Sequence, residues 1–526
     1  MLDLLWGIGG MIVIIAIALL FSVDRRRIRF RTVALALALQ VGFGVLVLYV
    51  PAGRAALETV TLGVQAVINS SGAGIDFLFG PVLPEEGSVF AFQVLPVIVF
   101  FAALTSVLYH LGVLQWVVKI IGGGLAKLLG TSTPESMNAA ANIFVGQTEA
   151  PLVIRPYVAA MSRSELFAVM CGGLATVAGS VLVGYSLLGA PLEYLIAASF
   201  MAAPAALLMA KLLVPSGALE DAPAPADGAD DDGARPGAGG PAQEDEERTG
   251  RRGVRQWLAG GARRGATSYA ALELTRRPDA PAAERTDADH GGAGSTTTGR
   301  PGDDAGAAGT GRPGDAGGTV GTGAPGDATR SAGDEPDSAT DTTDMTGEDA
   351  SEDDEPANVI DAAARGASDG LSLALNVGAM LIAFISLIAL VNVVLGAVGG
   401  LFGLEALTLE QLFGYVFAPV MFAVGVPWSE ALDAGSFLGQ KLVLNEFVAF
   451  ADFAPQIGDY SPKTQAIVTF ALTGFANFGS LAILLGGLGG IAPSRRADIA
   501  RLGLLSVLGG TLANLMSATI AGMLIG

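Results

Sequence analysis

The stretch ANIFVGQTEAPLVIRPY, Ala141 to Tyr157, sets two amides, a hydroxyl, a carboxylate and a guanidinium among apolar residues, with one glycine and two prolines. A second stretch, KLVLNEFVAF, places Glu446 in an equally apolar setting, and TGFANFGS follows with Asn477 and Ser480. A carboxylate at the centre of a membrane helix costs about 2.5 to 3.5 kcal/mol on insertion scales. Two of them, each beside helix breakers, need a use. One use is structural neutralisation, Glu149 by Arg155 and Glu446 by Lys441. The other is ligand binding, which the neighbours Gln147, Thr148, Asn477 and Ser480 favour. Amides, hydroxyls and carboxylates with little cationic charge suit a neutral ligand rich in hydroxyls and ring NH or carbonyl groups, whereas an anion calls for Arg or Lys. Carboxylates accepting from vicinal hydroxyls, with amides reading a heterocycle edge, describe a nucleoside.

Enzyme chemistry finds little support, and the chain is expected not to be an enzyme. Glu149 and Glu446 as an acid and base pair would make an intramembrane hydrolase, but no nucleophile motif, metal cluster or histidine accompanies them. His110 ends an apolar run, His290 lies in a polar tract, and Cys171 is the single cysteine, so no intrachain disulfide forms. GSFLGQKL, Gly435 to Leu442, lacks the G-x-x-x-x-G-K-[ST] spacing of a phosphate loop, which argues against ATP-driven transport.

The elements that must position these residues are membrane helices. The chain has 526 residues, 51% hydrophobic and 15% charged, with a mean hydropathy of +0.53, the composition of an integral membrane protein. The net charge of −20 is localised: Ser216 to Ile360 holds 30 Asp/Glu against 13 Arg, leaving 20 acids against 17 bases elsewhere. That Gly/Ala/Asp/Thr-rich insert reads as a disordered linker, and its basic segment Arg251 to Arg277 suits a short helix on anionic lipid. Deleting the insert is expected to leave transport intact if it is only a tether.

About 30 Å of hydrocarbon takes ~20 helical residues. Eight apolar runs qualify: Leu2–Val23, Thr32–Val50, Phe92–Leu111, Leu166–Leu188, Leu192–Val214, Leu371–Val398, Thr464–Leu488 and Leu502–Ile525. The first is no signal peptide, because its charges follow the apolar run. Five Arg in Asp24–Arg31 and three in Ala492–Arg501 place both loops inside. The amino terminus is then outside and the linker cytoplasmic. Ser132–Val158 and the region around Leu412–Phe450 are apolar but broken near their middles, which predicts two re-entrant hairpins lining a cavity. GGLATVAGS (Gly172–Ser180) after the first and TGFANFGS (Thr473–Ser480) after the second echo one another. Three spans separate the two units, so the second is inverted, as in secondary transporters. The expected fold class is thus an all-α polytopic membrane protein of about eight transmembrane helices plus two re-entrant hairpins. Its divisions are scaffold helices with an external amphipathic segment (1–112), a first repeat with hairpin 132–158 and a broken helix (113–215), the linker (216–360), a scaffold helix (361–400), and a second repeat (401–526).

GQTEAPLVIRPY, GGLATVAGSVL, NEFVAF and GFANFGSLAILLGG together resemble the signature stretches of the concentrative nucleoside transporter family, over nearly the whole chain apart from the insert. The resemblance implies a multi-pass symporter of the cell membrane that imports nucleosides and uses no cofactor beyond its coupling ion. It also implies a homotrimer, each protomer carrying a scaffold and an elevator-like transport domain. By motif position, Gln147, Thr148 and Glu149 face the base, Glu446, Asn477 and Ser480 hold the ribose, and Val181 and Phe475 are apolar contacts. It further implies a sodium site of the Asn142 side chain, the Val145 carbonyl, the Thr176 hydroxyl and the Val177 carbonyl. Some relatives use protons, but Asn142 and Thr176 are neutral oxygen donors that carry none; as helix-end caps they would be merely structural. A gate-type relative for another solute is the alternative; it predicts loss of the ribose set, which is intact. Nucleic acid is not an expected partner. The insert departs from the family pattern, as do Phe450 where relatives have tyrosine and Thr176 where some have serine. Purine against pyrimidine preference, stoichiometry and the insert's role stay open.

Overall fold

The computed structural model describes residues 2–83, 89–219, 356–403 and 407–526. All belong to one compact unit, Met1–Ala224 with Glu348–Gly526. The expectations for most of the acidic insert and for the basic segment Arg251 to Arg277 lie outside the described residues. Among these residues every regular element is helical, and seven helices are long and apolar enough to cross a membrane: Asp3–Leu20, Phe30–Tyr49, Phe90–His110, Arg163–Leu188, Leu192–Leu213, Val359–Gly400 and Pro493–Ile525. The eighth apolar run, Thr464–Leu488, is divided in two by a break at its centre.

The first half runs α1 (Leu2–Leu20), α2 (Phe30–Gly44), α3 (Pro51–Ser70), α4 (Gly72–Phe79), α5 (Phe90–Gln93), α6 (Leu95–His110) and α7 (Val113–Leu129). It continues with α8 (Thr133–Ala141), α9 (Arg155–Val158), α10 (Arg163–Ala175), α11 (Gly179–Leu188) and α12 (Leu192–Leu213). The second half is α13 (Val359–Gly400), α14 (Leu409–Val424), α15 (Trp428–Val443), α16 (Glu446–Phe453), α17 (Pro462–Leu472), α18 (Phe478–Ile491) and α19 (Arg496–Ile525). From α6 onward the order recurs: a long helix, a helix of one and a half dozen residues or so, a hairpin, a broken helix, then a long buried helix. At ~1.5 Å per residue α13 is about 63 Å long, twice the hydrocarbon thickness. It begins at Val359, well ahead of the apolar run at Leu371.

Local chemistry explains the starts and stops. Glu135 and Glu165 reach back to the backbone N–H of Ser132 and Ser162, capping boxes that open α8 and α10. Pro134 and Pro462 sit in first turns, where no N–H is missed. The hairpins differ from expectation. The return arm of the first is a 3-10 turn (Ala150–Ile154) followed by the single turn α9, because Pro151 and Pro156 withhold donors. The second begins at Trp428, not near Leu412: α14 is a separate helix, and α15 departs from it at 116° after Gly425 (φ 127°) and Pro427.

Burial divides the helices. Only 11% of the Val359–Gly400 span is buried within the chain, against 94% of Leu192–Leu213. α13 lies along α6 through small residues: a Cβ on Gly370 would meet the Val99 Cα at 2.8 Å. The interior is α10, α12, α17 and α19 packed together, and it carries the breaks.

Candidate functional site

The first hairpin tip leans on the broken helix α10–α11. Backbone at Thr176 is extended (φ −113°, ψ 172°), and helix resumes at Gly179, whose N–H donates to the Phe144 carbonyl of the tip at 3.1 Å. Glycines permit the approach: a Cβ on Gly172 would stand 3.3 Å from Asn142 Nδ2, and one on Gly173 would stand 2.8 Å from Gln147 Cβ. Asn142 is wholly buried; its Nδ2 donates to the Asn138 carbonyl at 2.9 Å, while its Oδ1 has no protein partner. Gln147 Oε1 and Asn138 Oδ1 are likewise buried and unpartnered. The Thr176 hydroxyl donates to the Gly172 carbonyl at 2.8 Å, which leaves its oxygen lone pairs available. Buried oxygens of this kind are costly unless something satisfies them.

The polar groups of the second half find partners, one of them supplied by the first half. Glu446 is 5% exposed; Oε1 accepts from the Tyr185 hydroxyl at 3.1 Å and Oε2 from Asn477 Nδ2 at 2.8 Å. Asn477 caps α18 by accepting from the Ser480 N–H at 2.7 Å, so one amide both holds the carboxylate and restarts the helix. Phe450 is fully buried and stacks on Tyr185 with ring centroids 4.4 Å apart, fixing the tyrosine that addresses Glu446. A carboxylate has about four acceptor positions. Tyr185 and Asn477 take two of them.

The two breaks meet. The Phe475 N–H donates to the Thr176 carbonyl at 3.1 Å. Asn514 on α19 donates to the Ala175 and Thr473 carbonyls, each at 2.7 Å. Gly474, at φ 156°, passes so close to the Asn514 amide that any Cβ would overlap it, so only glycine serves there.

Of the residues picked from sequence, Glu446, Asn477 and Ser480 form one cluster, and Phe475 joins Thr176 through the backbone. Val181 is buried in the first turn of α11. Val145 and Val177 stand in non-helical backbone, at the tip and at the break, where carbonyls are released from helix ladders. Thr148 packs against Gly487 of α18, and Glu149 is exposed with its carboxylate folded over Gly146. Neither neutralising pair is present among the described residues: Glu149 makes no ion pair with Arg155, and Lys441 turns from Glu446 to the Ala471 carbonyl and Asn514 Oδ1. Tyr185 and Asn514 were not singled out from sequence. Each stands in a long, mostly apolar run, Tyr185 beside Ser186 and Asn514 between Thr511 and Ser517, so small hydroxyl residues nearby blur the signal. Gln147, Thr176, Val181, Glu446, Asn477 and Ser480 are all buried.

Residues 327–522 match the family model for the Na+ dependent nucleoside transporter C-terminus, residues 9–82 the corresponding N-terminus model, and residues 91–192 a nucleoside recognition model. The chain is 46% identical to the uncharacterized transporter YutK of Bacillus subtilis over the full length of both, and 39% identical to the nucleoside permease NupC of Helicobacter pylori over 99% of this chain and 98% of that one. It is also similar to the solved structure of CNTnw in an inward-facing substrate-bound state, with a TM-score of 0.72 and 42% identity over 99% of this chain and 98% of that one.

Proposed function

Since the chain belongs to the concentrative nucleoside transporter family, we propose that it is a sodium-driven symporter that carries nucleosides into the cell. The observation that carries this reading is the pairing of unlike halves. A buried carboxylate is held by Tyr185 and Asn477 beside one helix break, and the hairpin tip against the other break, to which the first is hydrogen-bonded, leaves Asn142 and Gln147 oxygens without partners.

Glu446 accepts from the ribose hydroxyls, aided by Asn477 and Ser480, because a preorganised carboxylate binds a vicinal diol through two charge-assisted hydrogen bonds. Gln147 and Thr148 present amide and hydroxyl to the base, Glu149 closes that edge at the rim, and Val181 and Phe475 supply apolar surface. Sodium suits the other oxygens. It is a hard cation that prefers oxygen, and Asn142 Oδ1, the Thr176 hydroxyl and the carbonyls of Val145 and Val177 are neutral oxygen donors around one helix break. None of the four takes up or releases a proton near neutral pH. Sodium travels with the nucleoside, and by satisfying the tip it completes the base-reading edge, so the two bind cooperatively.

The hairpins re-enter the membrane from opposite sides, and the domain containing them slides against a scaffold built from α1 to α3, α6 and α13. The outward apolar face of α13 suits contact between three copies. The amino terminus lies outside and the insert lies in the cytoplasm, as the arginine clusters require.

Uptake of uridine and adenosine into proteoliposomes tests this, with a sodium gradient and then with a proton gradient alone. Accumulation that follows sodium is the expected result. Uptake driven equally by protons overturns the coupling ion, and no uptake of any nucleoside under either gradient moves the function to another solute.

A further inference from the structure

Lys441 lies four residues before the tip of the second hairpin and is 0% exposed. Its Nζ donates to the Ala471 carbonyl at 2.7 Å and to Asn514 Oδ1 at 2.8 Å; it forms no ion pair among the described residues. The same Asn514 donates from Nδ2 to the Ala175 and Thr473 carbonyls. Ala175 is the last residue of α10, Ala471 is in the last turn of α17, and Thr473 caps it. The carboxyl ends of both broken helices therefore converge on one ammonium, directly or through one amide. Such ends carry the negative pole of the peptide dipoles and leave carbonyls without helical partners. In broken-helix transporters those groups bind the coupling cation. Here a side chain delivers the cation.

The first repeat lacks an equivalent. Its tip carries Asn142, fully buried with Oδ1 unpartnered, against α10 just ahead of the break. Topologically similar units thus meet a similar electrostatic demand by different means.

Resting on the sodium-coupled reading above, we propose that Lys441 is a tethered cation. Without leaving the protein, its ammonium supplies in the second repeat the donor that the first repeat takes from an ion exchanged in each cycle. Lys441 touches no nucleoside in this arrangement. It is a positioning residue that holds the α17–α18 break, and with it Phe475 and Asn477, in register with Glu446. It also explains how an interior this apolar keeps a lysine without a carboxylate partner.

The test compares wild type with Lys441→Ala, Lys441→Met and Lys441→Arg in proteoliposomes, titrating external sodium with and without propylammonium, which replaces the atoms that alanine removes. The expected result is at least a tenfold loss of uptake in Lys441→Ala at low sodium, with recovery by propylammonium or by high sodium along a steeper curve than wild type. Lys441→Met fills the space without charge and recovers with neither, and Lys441→Arg keeps partial activity. A binding readout accompanies uptake: sodium raises the unfolding temperature of Lys441→Ala more than that of wild type or Lys441→Met. Wild-type uptake in the Ala and Met variants overturns the proposal. So does equal loss in both, with no rescue and no added stabilisation by sodium. A wild type indifferent to sodium is a separate outcome that sinks the coupling reading itself.

Discussion

The two hairpin and broken-helix units of this protein share an order of elements but leave their polar groups in opposite states. In the second, Glu446 is held by Tyr185 and Asn477, and Lys441 by Ala471 and Asn514. In the first, Asn142, Asn138 and Gln147 each bury an oxygen that nothing in the protein meets. A satisfied network is rigid, whereas an unsatisfied one stores a demand that a ligand relieves. On the proposed reading the second unit is a preformed receptor, and the first is the part whose order depends on what binds. On that reading, cooperativity between ion and nucleoside needs no long-range relay, because the Thr176 carbonyl and the Phe475 N–H already join the breaks.

Four substitutions sharpen or break this contrast. The largest effect belongs to Glu446→Gln. It replaces two charge-assisted hydrogen bonds to the ligand, about 1.5 kcal/mol each, and lowers nucleoside uptake roughly 100-fold. Fluorescence or calorimetric titration should show the loss in nucleoside affinity, with the sodium concentration for half-maximal uptake changed little. Next, Asn142→Ala removes an oxygen from the tip and raises that sodium concentration about tenfold, while uptake at saturating sodium largely recovers. If both variants move sodium and nucleoside dependence alike, the two units are not specialised as argued. Tyr185→Phe, a middle case, deletes one donor to Glu446 and weakens nucleoside binding about fivefold, near 1 kcal/mol. Retained stacking on Phe450 keeps the unfolding temperature close to wild type, and a large drop there would make Tyr185 structural. Smallest is Gln147→Ala, about threefold in nucleoside affinity, with a ratio of uridine to adenosine uptake that differs from wild type. An unchanged ratio would take Gln147 out of base recognition.

Particular residues show how far the chain could be read unaided. Glu149 and Glu446 were visible because a carboxylate in an apolar run is expensive, and the breaks were visible because glycine, proline and asparagine interrupt otherwise helical stretches. The cluster of Glu446, Asn477 and Ser480 was legible in part because Asn477 and Ser480 share one turn. The start of the second hairpin was not legible, since Leu412 to Val424 is as apolar as any span, and only the turn at Gly425 and Pro427 separates it. Lys441 shows why proximity along the chain decides little: Glu446 is five residues away, yet its carboxylate accepts from Tyr185, 261 residues distant in sequence.

The sequence by itself determined that this is an all-helical membrane protein with two broken units that carry polar residues, because hydrophobic period, helix breakers and the cost of intramembrane charge are local properties. Only the tertiary structure decided which groups are answered and which are left waiting. Asn514 reaches Ala175 across 339 residues, and no spacing rule sets which helix ends come together. That choice belongs to the packing of α10, α12, α17 and α19, where every buried donor must find its acceptor among partners brought close by the fold.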